Sequence, residues 1–321
     1  MRSIDREYEQ EEESMEIITV RKLKEDFYQL SEHISSEAAV HMYLVTGSKC
    51  AALIDTGLGM IGNLEKIVRS LTDKPVICLV THCDPDHAGA AALFDDIRMS
   101  ALDQKLMDNG SISPLARFGT AQAVADDKAR VNYFRKHMVK AKRFAYQNID
   151  DGEIFDLGDR TLTAIAFPGH TEGSMCFWNR AENYCIVGDA VANVDSPVLF
   201  FQKCRPLEEY RDNLIRFLDK VGDGCLLYAG HNEEPLPKAM LSEILSLCGE
   251  VLSSQTKNDV PYMPPFLQEA SADAGVFEKL KSKLIVKVIS KKQLGDAVPM
   301  EHKGVQASVR YNAKKIYRHA T

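Results

Sequence analysis

Four of the nine histidines in this sequence, together with several aspartates, stand directly after runs of apolar residues. The segments are His82-Cys-Asp-Pro-Asp-His87, Pro168-Gly-His170, Gly188-Asp189 and Gly230-His231. Side chains at the ends of neighbouring strands project into a common cleft, so these groups are expected to meet. Imidazole and carboxylate groups bind zinc, iron and manganese in proteins, and the pattern therefore predicts a metal centre.

The runs that precede these groups predict β-strands. A continuous apolar run from Val76 to Val80 is typical of a buried strand, and Thr81–His87 follows it at once. Further strands are predicted at short β-rich runs, which are Ile17–Val20, Phe27–Leu30, Val40–Val45, Cys50–Ile54, Ile154–Leu157, Leu162–Phe167, Ser174–Trp178, Tyr184–Val187 and Cys225–Tyr228. The spacing of apolar residues predicts helices over Gly62–Thr72, Leu207–Val221 and Leu236–Ser253, and one that begins at Ala88.

Three segments lack this strand-rich character. Residues 1–15 are acidic and without apolar runs, which predicts a disordered or loosely held tail. Residues 101–148 are expected to be helical, and Lys128–Arg143 holds seven Lys or Arg and no acidic residue. Residues 254–321 combine a Pro-rich linker with a predicted helix and a strand at Gln306–Tyr311. The main domain is therefore expected to span residues 16–253.

Composition and charge narrow the classes of function. The formal charge is −7, which argues against a nucleic-acid partner. No run of about 18 apolar residues exists and no secretory or transit signal fits the N-terminal residues, so we expect no membrane association. The eight cysteines form no CxxC pair and mostly stand in apolar runs, as buried free thiols of a reducing compartment do. The expected location is cytoplasmic.

Five ordered motifs resemble the metallo-β-lactamase superfamily, and in particular its branch with glyoxalase II and small-molecule hydrolases. They are Ile54-Asp-Thr-Gly57, Thr81-His-Cys-Asp-Pro-Asp-His-Ala-Gly89, Phe167-Pro-Gly-His-Thr-Glu-Gly-Ser174, Val187-Gly-Asp189 and Tyr228-Ala-Gly-His231. The resemblance extends from Ile17 to His231. It implies an α/β fold, the four-layer αββα sandwich, here with a helical insertion and a C-terminal extension.

The resemblance also implies a role for each ligand position in a centre of two divalent metal ions. The first ion would be bound by His82, His170 and the residue at position 84, and the second by Asp86, His87 and His231. Asp189 would bridge the two ions. Asp55 is interpreted as a residue that hydrogen-bonds a ligand and fixes its orientation.

Position 84 departs from the family pattern, in which a histidine stands there. Asp84 can still be a ligand, because carboxylates bind zinc, iron and manganese. Alternatively it is a turn residue before Pro85, or it falls short of the metal and leaves the first site weak or empty. A more anionic ligand set favours iron or manganese, and the flavodiiron branch also has a carboxylate here. The identity of the metal therefore stays open between zinc and iron or manganese.

The predicted activity is that of a metal-dependent hydrolase acting on a small carbonyl ester, thioester or lactone. A hydroxide held by the metal is nucleophilic at neutral pH, and Asp86 is the catalytic candidate that would orient the water and accept its proton. The basic stretch in residues 101–148, a candidate lid, would attract an anionic small-molecule substrate.

Two alternatives stand beside this prediction. One is a non-haem di-iron oxidoreductase that takes electrons from a separate partner, and the other is a non-catalytic protein that kept the fold. Residues 254–321 would either pack over the cleft or join the subunits of a homo-oligomer.

Overall fold

The structure, a computed structural model, describes residues 16–262, 294 and 296–317. The predicted acidic tail and the predicted helix of the C-terminal extension lie outside the described residues. The strands are β1 (Ile18–Lys24), β2 (Phe27–His33), β3 (Ala39–Thr46), β4 (Ala51–Ile54), β5 (Val76–Leu79), β6 (Asp96–Met99), β7 (Gln147–Asn148), β8 (Ile154–Asp156), β9 (Thr161–Ala166), β10 (Met175–Asn179), β11 (Tyr184–Gly188), β12 (Val198–Leu199), β13 (Leu226–Ala229), β14 (Val260–Pro261), β15 (Pro299–Lys303) and β16 (Ser308–Asn312). The helices are α1 (Leu64–Leu71), α2 (Gln104–Asp108), α3 (Pro114–Val124), α4 (Lys128–His137), α5 (Leu207–Val221) and α6 (Lys238–Leu252).

One mixed sheet has the strand order β1-β2-β3-β4-β5-β6-β7. Strands β1 to β4 are antiparallel neighbours, whereas β4 to β7 are parallel. The parallel strands β4 and β5 therefore end at the same edge of the sheet. Asp55 follows β4 directly, and the segment Thr81–His87 begins two residues after β5 ends.

A second sheet has the strand order β13-β11-β10-β9-β8. Strands β8 to β11 are antiparallel neighbours, and β13 joins β11 in parallel. As a result β9, β11 and β13 all run in one direction and end at one edge. His170, Asp189 and His231 follow these three strands in turn, as the sequence predicts.

Three separate buried cores show how the layers stack. Along β3, Met42 and Leu44 face a core that they share with α1, α3 and α4, whereas Tyr43 and Val45 face a core between the two sheets. A third core lies between the second sheet and the helices α5 and α6. Side chains alternate between the two faces of a strand, so each sheet contributes to two cores. The order helix, sheet, sheet, helix confirms the predicted αββα sandwich.

The helices predicted from apolar spacing are confirmed at α1, α5 and α6. The helix expected to begin at Ala88 is wrong, because a 3₁₀ turn at Ala91–Leu93 and then strand β6 stand there instead. The Gly89 backbone N–H donates to the Gly57 carbonyl oxygen at 2.9 Å instead of to a helical turn, and Gly89 packs so closely on the loop after β4 that a Cβ would lie 2.4 Å from the Leu58 carbonyl oxygen. This segment makes a contact between two loops and does not start a helix.

Residues 101–148 are largely helical, as predicted, although β7 adds a short strand to the first sheet. Helix α3 begins after the N-cap Ser113, and α4 begins after the N-cap Asp127. Val131 and Phe134 of α4 are buried in the first core. The insertion therefore builds part of the outer helical layer, and its role as a lid stays a prediction.

The described part of the C-terminal extension forms a small sheet of strand order β12-β16-β15-β14. The strand predicted at Gln306–Tyr311 is confirmed as β16, whereas β12 and β14, with two residues each, are too short to leave a pattern in the sequence. Strand β16 pairs in parallel with β12, and Val309 and Tyr311 join the third core. The extension thus packs on the domain beside Val198, whose carbonyl group contacts the site described below.

A buried carboxylate fixes the loop that follows β4. Glu32 accepts backbone hydrogen bonds from three residues of this loop, at 2.5, 3.2 and 2.7 Å from Leu58, Gly59 and Met60. Asp55 and Gly57 have positive φ angles of 63° and 65°, so the chain turns sharply as it leaves the sheet. The position of Asp55 therefore depends on a well-anchored loop.

Glu32 should make the stability of the protein depend on pH. Burial raises the pKa of this carboxyl group to about 7, from an ordinary value of 4.5, although the backbone hydrogen bonds oppose the shift. The folded protein therefore holds a proton that the unfolded chain releases, and this contribution is present below pH 4.5 and lost as the pH rises to 7. We expect the free energy of unfolding of the wild type to fall by about 3 kcal/mol relative to Glu32→Gln across this range.

Urea unfolding of both proteins at a series of pH values measures this difference. The contributions of all other titrating groups cancel in the difference between the unfolding free energies of wild type and Glu32→Gln. A difference between the two proteins that stays constant with pH would contradict the expectation.

Candidate metal centre

The four predicted histidines come together at the common edge of the two sheets. The ring centroids of His82 and His87 are 4.1 Å apart, those of His82 and His170 are 5.1 Å apart, and those of His87 and His231 are 5.5 Å apart. Asp189 lies among them, with Oδ1 at 3.5 Å from His87 Nε2. The strand ends thus deliver residues that are up to 149 positions apart in the sequence into one cleft.

Asp55 orients two of these imidazoles. Its Oδ2 lies 2.8 Å from His87 Nδ1 and also accepts a hydrogen bond of 2.8 Å from the Thr81 hydroxyl group. The Thr81 oxygen in turn lies 3.0 Å from His82 Nδ1. Because a carboxylate only accepts, the protons in this chain sit on both Nδ1 atoms, and both Nε2 atoms face the cleft.

Backbone carbonyl groups orient the other two imidazoles. His170 Nδ1 lies 2.9 Å from the Val198 oxygen, and His231 Nδ1 lies 3.3 Å from the Ala39 oxygen. A carbonyl oxygen is an acceptor, so these Nδ1 atoms also carry the proton. All four histidines therefore direct Nε2 into the cleft, which is the arrangement of metal-ligating histidines held by outer hydrogen bonds.

Asp86, His87 and His231 form a group with the spacing of metal ligands. His231 Nε2 lies 3.4 Å from Asp86 Oδ2 and 3.5 Å from Asp189 Oδ2, and His87 Nε2 lies 3.9 Å from Asp86 Oδ2. Ligands about 2.1 Å from a tetrahedral ion lie about 3.4 Å from one another. The separations in this group are therefore those of ligands around one ion.

The buried atoms that lack partners also fit a metal. Among the described residues, three such atoms face this cleft, namely His82 Nε2, His87 Nε2 and Asp189 Oδ1. A buried polar atom without a partner costs free energy, so an arrangement that leaves three of them side by side indicates a ligand for them. His82, His170 and Asp189 form a second group with metal-ligand spacing, so donor atoms for the first predicted ion are present as well.

Asp84 has a partner that the sequence did not reveal. Lys203, between β12 and α5, places its ammonium group in hydrogen-bond contact with Asp84 Oδ2 and 3.1 Å from His170 Nε2. Asp84 Oδ2 also lies 3.1 Å from His170 Nε2 and 3.6 Å from His82 Nε2. The carboxylate thus reaches the first predicted site, and it does so together with a cation from the protein itself.

Asp103 is a second residue that sequence analysis missed. This buried carboxylate accepts hydrogen bonds from the backbone N–H groups of Cys83 and Gly173 and from the Thr171 hydroxyl group, at 2.9, 2.8 and 2.9 Å. It therefore ties the loop after β5 to the loop after β9. Cys83 is a buried free thiol that packs in the first core, as expected.

The geometry is matched by a relationship in sequence. A profile of the metallo-beta-lactamase superfamily matches residues 36–102 and 110–234, which is more than half of the chain. The chain belongs to this superfamily. The family membership inferred from the five motifs is thus confirmed.

Relatives within the superfamily include enzymes named as thioesterases. The human acyl-coenzyme A thioesterase MBLAC2 is 25% identical over 223 residues, which cover 64% of this chain and 74% of that protein. The atrochrysone carboxyl ACP thioesterase of Aspergillus chevalieri is 26% identical over 156 residues, 46% of this chain and 39% of that protein. A solved metallo-beta-lactamase from Pontibacter korlensis shares the fold with a TM-score of 0.54 and 16% identity, over 71% of this chain and 97% of that chain.

Within the described residues, no helix has the length and apolar character needed to cross a membrane.

The ionisable groups in this cleft strongly shift one another's pKa values. Burial opposes protonation of His87, but the neighbouring carboxylates, Asp189 foremost, raise its pKa to about 9. Burial likewise opposes ionisation of Asp84, but the Lys203 ammonium holds the pKa of that carboxyl group well below its usual range. Because a ligand histidine must be neutral, an ion entering the cleft competes with a proton on His87.

Asp55 should control metal affinity without touching the metal. Asp55 accepts three hydrogen bonds on its two oxygens, and in Asp55→Asn an NH2 group replaces one of these acceptors. At least one of these bonds is therefore lost, and the two imidazoles lose their fixed orientation. We expect metal affinity to fall about 10- to 100-fold, as measured by competition with a chromophoric chelator.

Asp259→Asn is a matched control for this variant. Asp259 makes the same kind of bond, 2.6 Å to His302 Nδ1, in the C-terminal sheet. We expect that variant to bind metal like the wild type. Equal metal affinity in Asp55→Asn and wild type would rule out the orienting role.

Proposed function

We propose that this protein is a metal-dependent thioesterase that hydrolyses a small acyl thioester. The residues that line the proposed metal site are His82, Asp84, Asp86, His87, His170, Asp189 and His231. The ion that this activity requires is proposed to lie in the second group, which is Asp86, His87 and His231 together with Asp189. The observation that carries the proposal is the set of Nε2 and carboxylate atoms that converge on one cleft, three of them buried without a partner among the described residues. A divalent ion bound there lowers the pKa of a water molecule to about 7 and polarises a carbonyl oxygen.

Asp86 is the proposed catalytic residue. Its side chain is 22% exposed, compared with 6% for Asp189, so it is the more accessible carboxylate of the second group. Burial opposes its ionisation, but His87 and His231 lower its pKa, so it is an ionised acceptor at neutral pH. In this role Asp86 orients the attacking water and takes its proton on a carboxylate oxygen.

The choice of a thioester over an ester or lactone rests on the relatives. Two proteins that match this chain over 64% and 46% of its length are named as thioesterases, one for acyl-coenzyme A and one for an acyl carrier protein. Both substrates present an acyl group on a phosphate-bearing thiol. The di-iron alternative rested on Asp84, and the contact of that carboxylate with Lys203 weighs against it.

Thioester hydrolysis can be measured with acyl-coenzyme A substrates of several chain lengths and a reagent that detects free thiol. We expect turnover that is lost when a chelator removes the metal and that returns when Zn²⁺, Mn²⁺ or Fe²⁺ is restored. We expect kcat/KM to fall by about 100-fold or more in His231→Ala, because a ligand of the second group is missing. His137→Ala, which removes an exposed histidine, is the matched control.

The role of Asp86 has its own test. Asp86→Ala should lower kcat even when elemental analysis shows that the metal is retained. Full turnover in that variant with metal bound would refute the role of Asp86. Turnover that resists the chelator, or lactone and ester hydrolysis without thioester hydrolysis, would contradict the proposed function.

The basic stretch is proposed to attract the phosphate groups of such a substrate. Val139 donates a backbone hydrogen bond of 3.0 Å to Gly59 in the loop after β4, so the stretch passes along the sheet edge that carries the cleft. Lys140 and Lys142 are exposed there. We expect Lys140→Glu combined with Lys142→Glu to raise KM for acyl-coenzyme A several-fold and leave kcat unchanged, because these charges act only on binding.

Two comparisons make this prediction specific. An N-acetylcysteamine thioester lacks phosphate groups and should keep its KM in the same variant. Lys22→Glu, a charge reversal on β1, should leave both substrates unaffected. An equal rise in KM for both thioesters would exclude phosphate recognition by this stretch.

A further inference from the structure

Lys203 occupies the space between two ligands of the first predicted metal ion. Its Nζ is hydrogen-bonded to Asp84 Oδ2 and lies 3.1 Å from His170 Nε2. The side chain is only 17% exposed, so most of it is buried. A lysine in this place bears directly on how many metal ions the cleft can hold.

The two partners of Lys203 are both acceptors. His170 Nδ1–H donates a hydrogen bond to the Val198 carbonyl oxygen, so His170 Nε2 presents a lone pair. That lone pair and the carboxylate oxygen of Asp84 lie 3.1 Å apart, a distance at which two acceptors repel unless a donor or cation lies between them. The Lys203 ammonium provides that cation, because it has three donors and no acceptor.

The backbone on both sides of Lys203 is held in place. Arg205 N–H donates a 2.8 Å hydrogen bond to the Gly169 carbonyl group, next to His170. Lys315 Nζ donates to the carbonyl group of Gln202 at 3.2 Å and to that of Cys204. The Lys203 ammonium also lies 5.6 Å from the ring centre of Phe201. The ammonium is therefore placed by its surroundings and is not a free surface charge.

We propose that the Lys203 ammonium takes the position of the first ion, so that the protein binds one divalent ion, in the group of Asp86, His87, His231 and Asp189. An ion about 2.1 Å from His170 Nε2 and Asp84 Oδ2 would lie within about 3.5 Å of the ammonium nitrogen. A protonated lysine has no lone pair for a metal, and it repels a dication. The inference rests on the proposed function only in taking the second group as a metal site.

Little is left of the first group once Lys203 is in place. Of its members, His82 Nε2 has no partner among the described residues, and Asp189 is shared with the second group. One imidazole and one shared carboxylate are too few ligands to hold an ion beside an ammonium. The third N–H of Lys203 is then available for a substrate oxygen, so the lysine supplies a fixed second positive charge beside the metal.

Metal stoichiometry tests this inference directly. Metal-free wild type is titrated with Co²⁺, whose visible absorption reports binding, and protein loaded with Zn²⁺ and desalted is measured by elemental analysis. We expect wild type to saturate at one equivalent per chain and Lys203→Met, which keeps the length of the side chain without its charge, to saturate at two. Lys49→Met removes a lysine bonded to Asp156 at 2.9 Å far from the cleft, and it should saturate at one.

Each outcome of the titration is informative. Two equivalents of metal ion bound per chain of wild type would overturn the inference. This result does not depend on whether any variant folds. One equivalent in both Lys203→Met and Lys203→Ala, with circular dichroism like that of wild type, would also overturn it, because the lysine would then not be what excludes the ion.

Thioesterase assays on the same samples separate this inference from the proposed function. One bound ion without thioester hydrolysis would leave the inference intact and reject the function. Two bound ions with thioester hydrolysis would do the reverse.

Discussion

The site depends on one buried carboxylate that accepts three hydrogen bonds. Asp55 binds the backbone N–H of Thr81 at 2.7 Å, the Thr81 hydroxyl group at 2.8 Å and His87 Nδ1 at 2.8 Å. Through Thr81 it also sets the proton position of His82. A single carboxylate thus places the Nδ1 proton of two imidazoles, and Glu32 holds the loop that continues from it. Glu32 holds the loop, Asp55 at the start of that loop holds the imidazoles, and the imidazoles face the cleft.

The proposed ligand residues could be predicted because they follow strands whose apolar runs are visible in the sequence. Strands that run in the same direction end at the same edge of a sheet. The position of His170 or Asp189 directly after a strand therefore already implies a shared cleft. The helices α1, α5 and α6 were predictable for a similar reason, since each buries one regular stripe of apolar residues. Where a residue stands directly after a regular strand or helix, the apolar pattern of that element is enough to predict the position of the residue.

Lys203 and Asp103 could not be predicted in this way. Lys203 follows the two-residue strand β12, and Asp103 lies in a single 3₁₀ turn, so neither belongs to an element with a readable period. Their roles come from contacts between loops that are far apart in sequence. Asp84 shows the consequence, because the sequence predicts it as a metal ligand, whereas the structure also places it in an ion pair with Lys203. Contacts between irregular segments leave no periodic pattern in a single sequence, so they cannot be predicted from it.

The pairing of β12 with β16 has a consequence for the order in which the protein is made. Val198, in β12, fixes the proton on His170, and β12 is held by a strand that the ribosome synthesises about 110 residues later. Lys315, later still, clamps the loop of Lys203. The residues of the second proposed group have all been synthesised once His231 has emerged, whereas the half of the cleft around His170 still lacks the strand that pairs with β12. The segment that completes the surroundings of His170 is therefore among the last to be made.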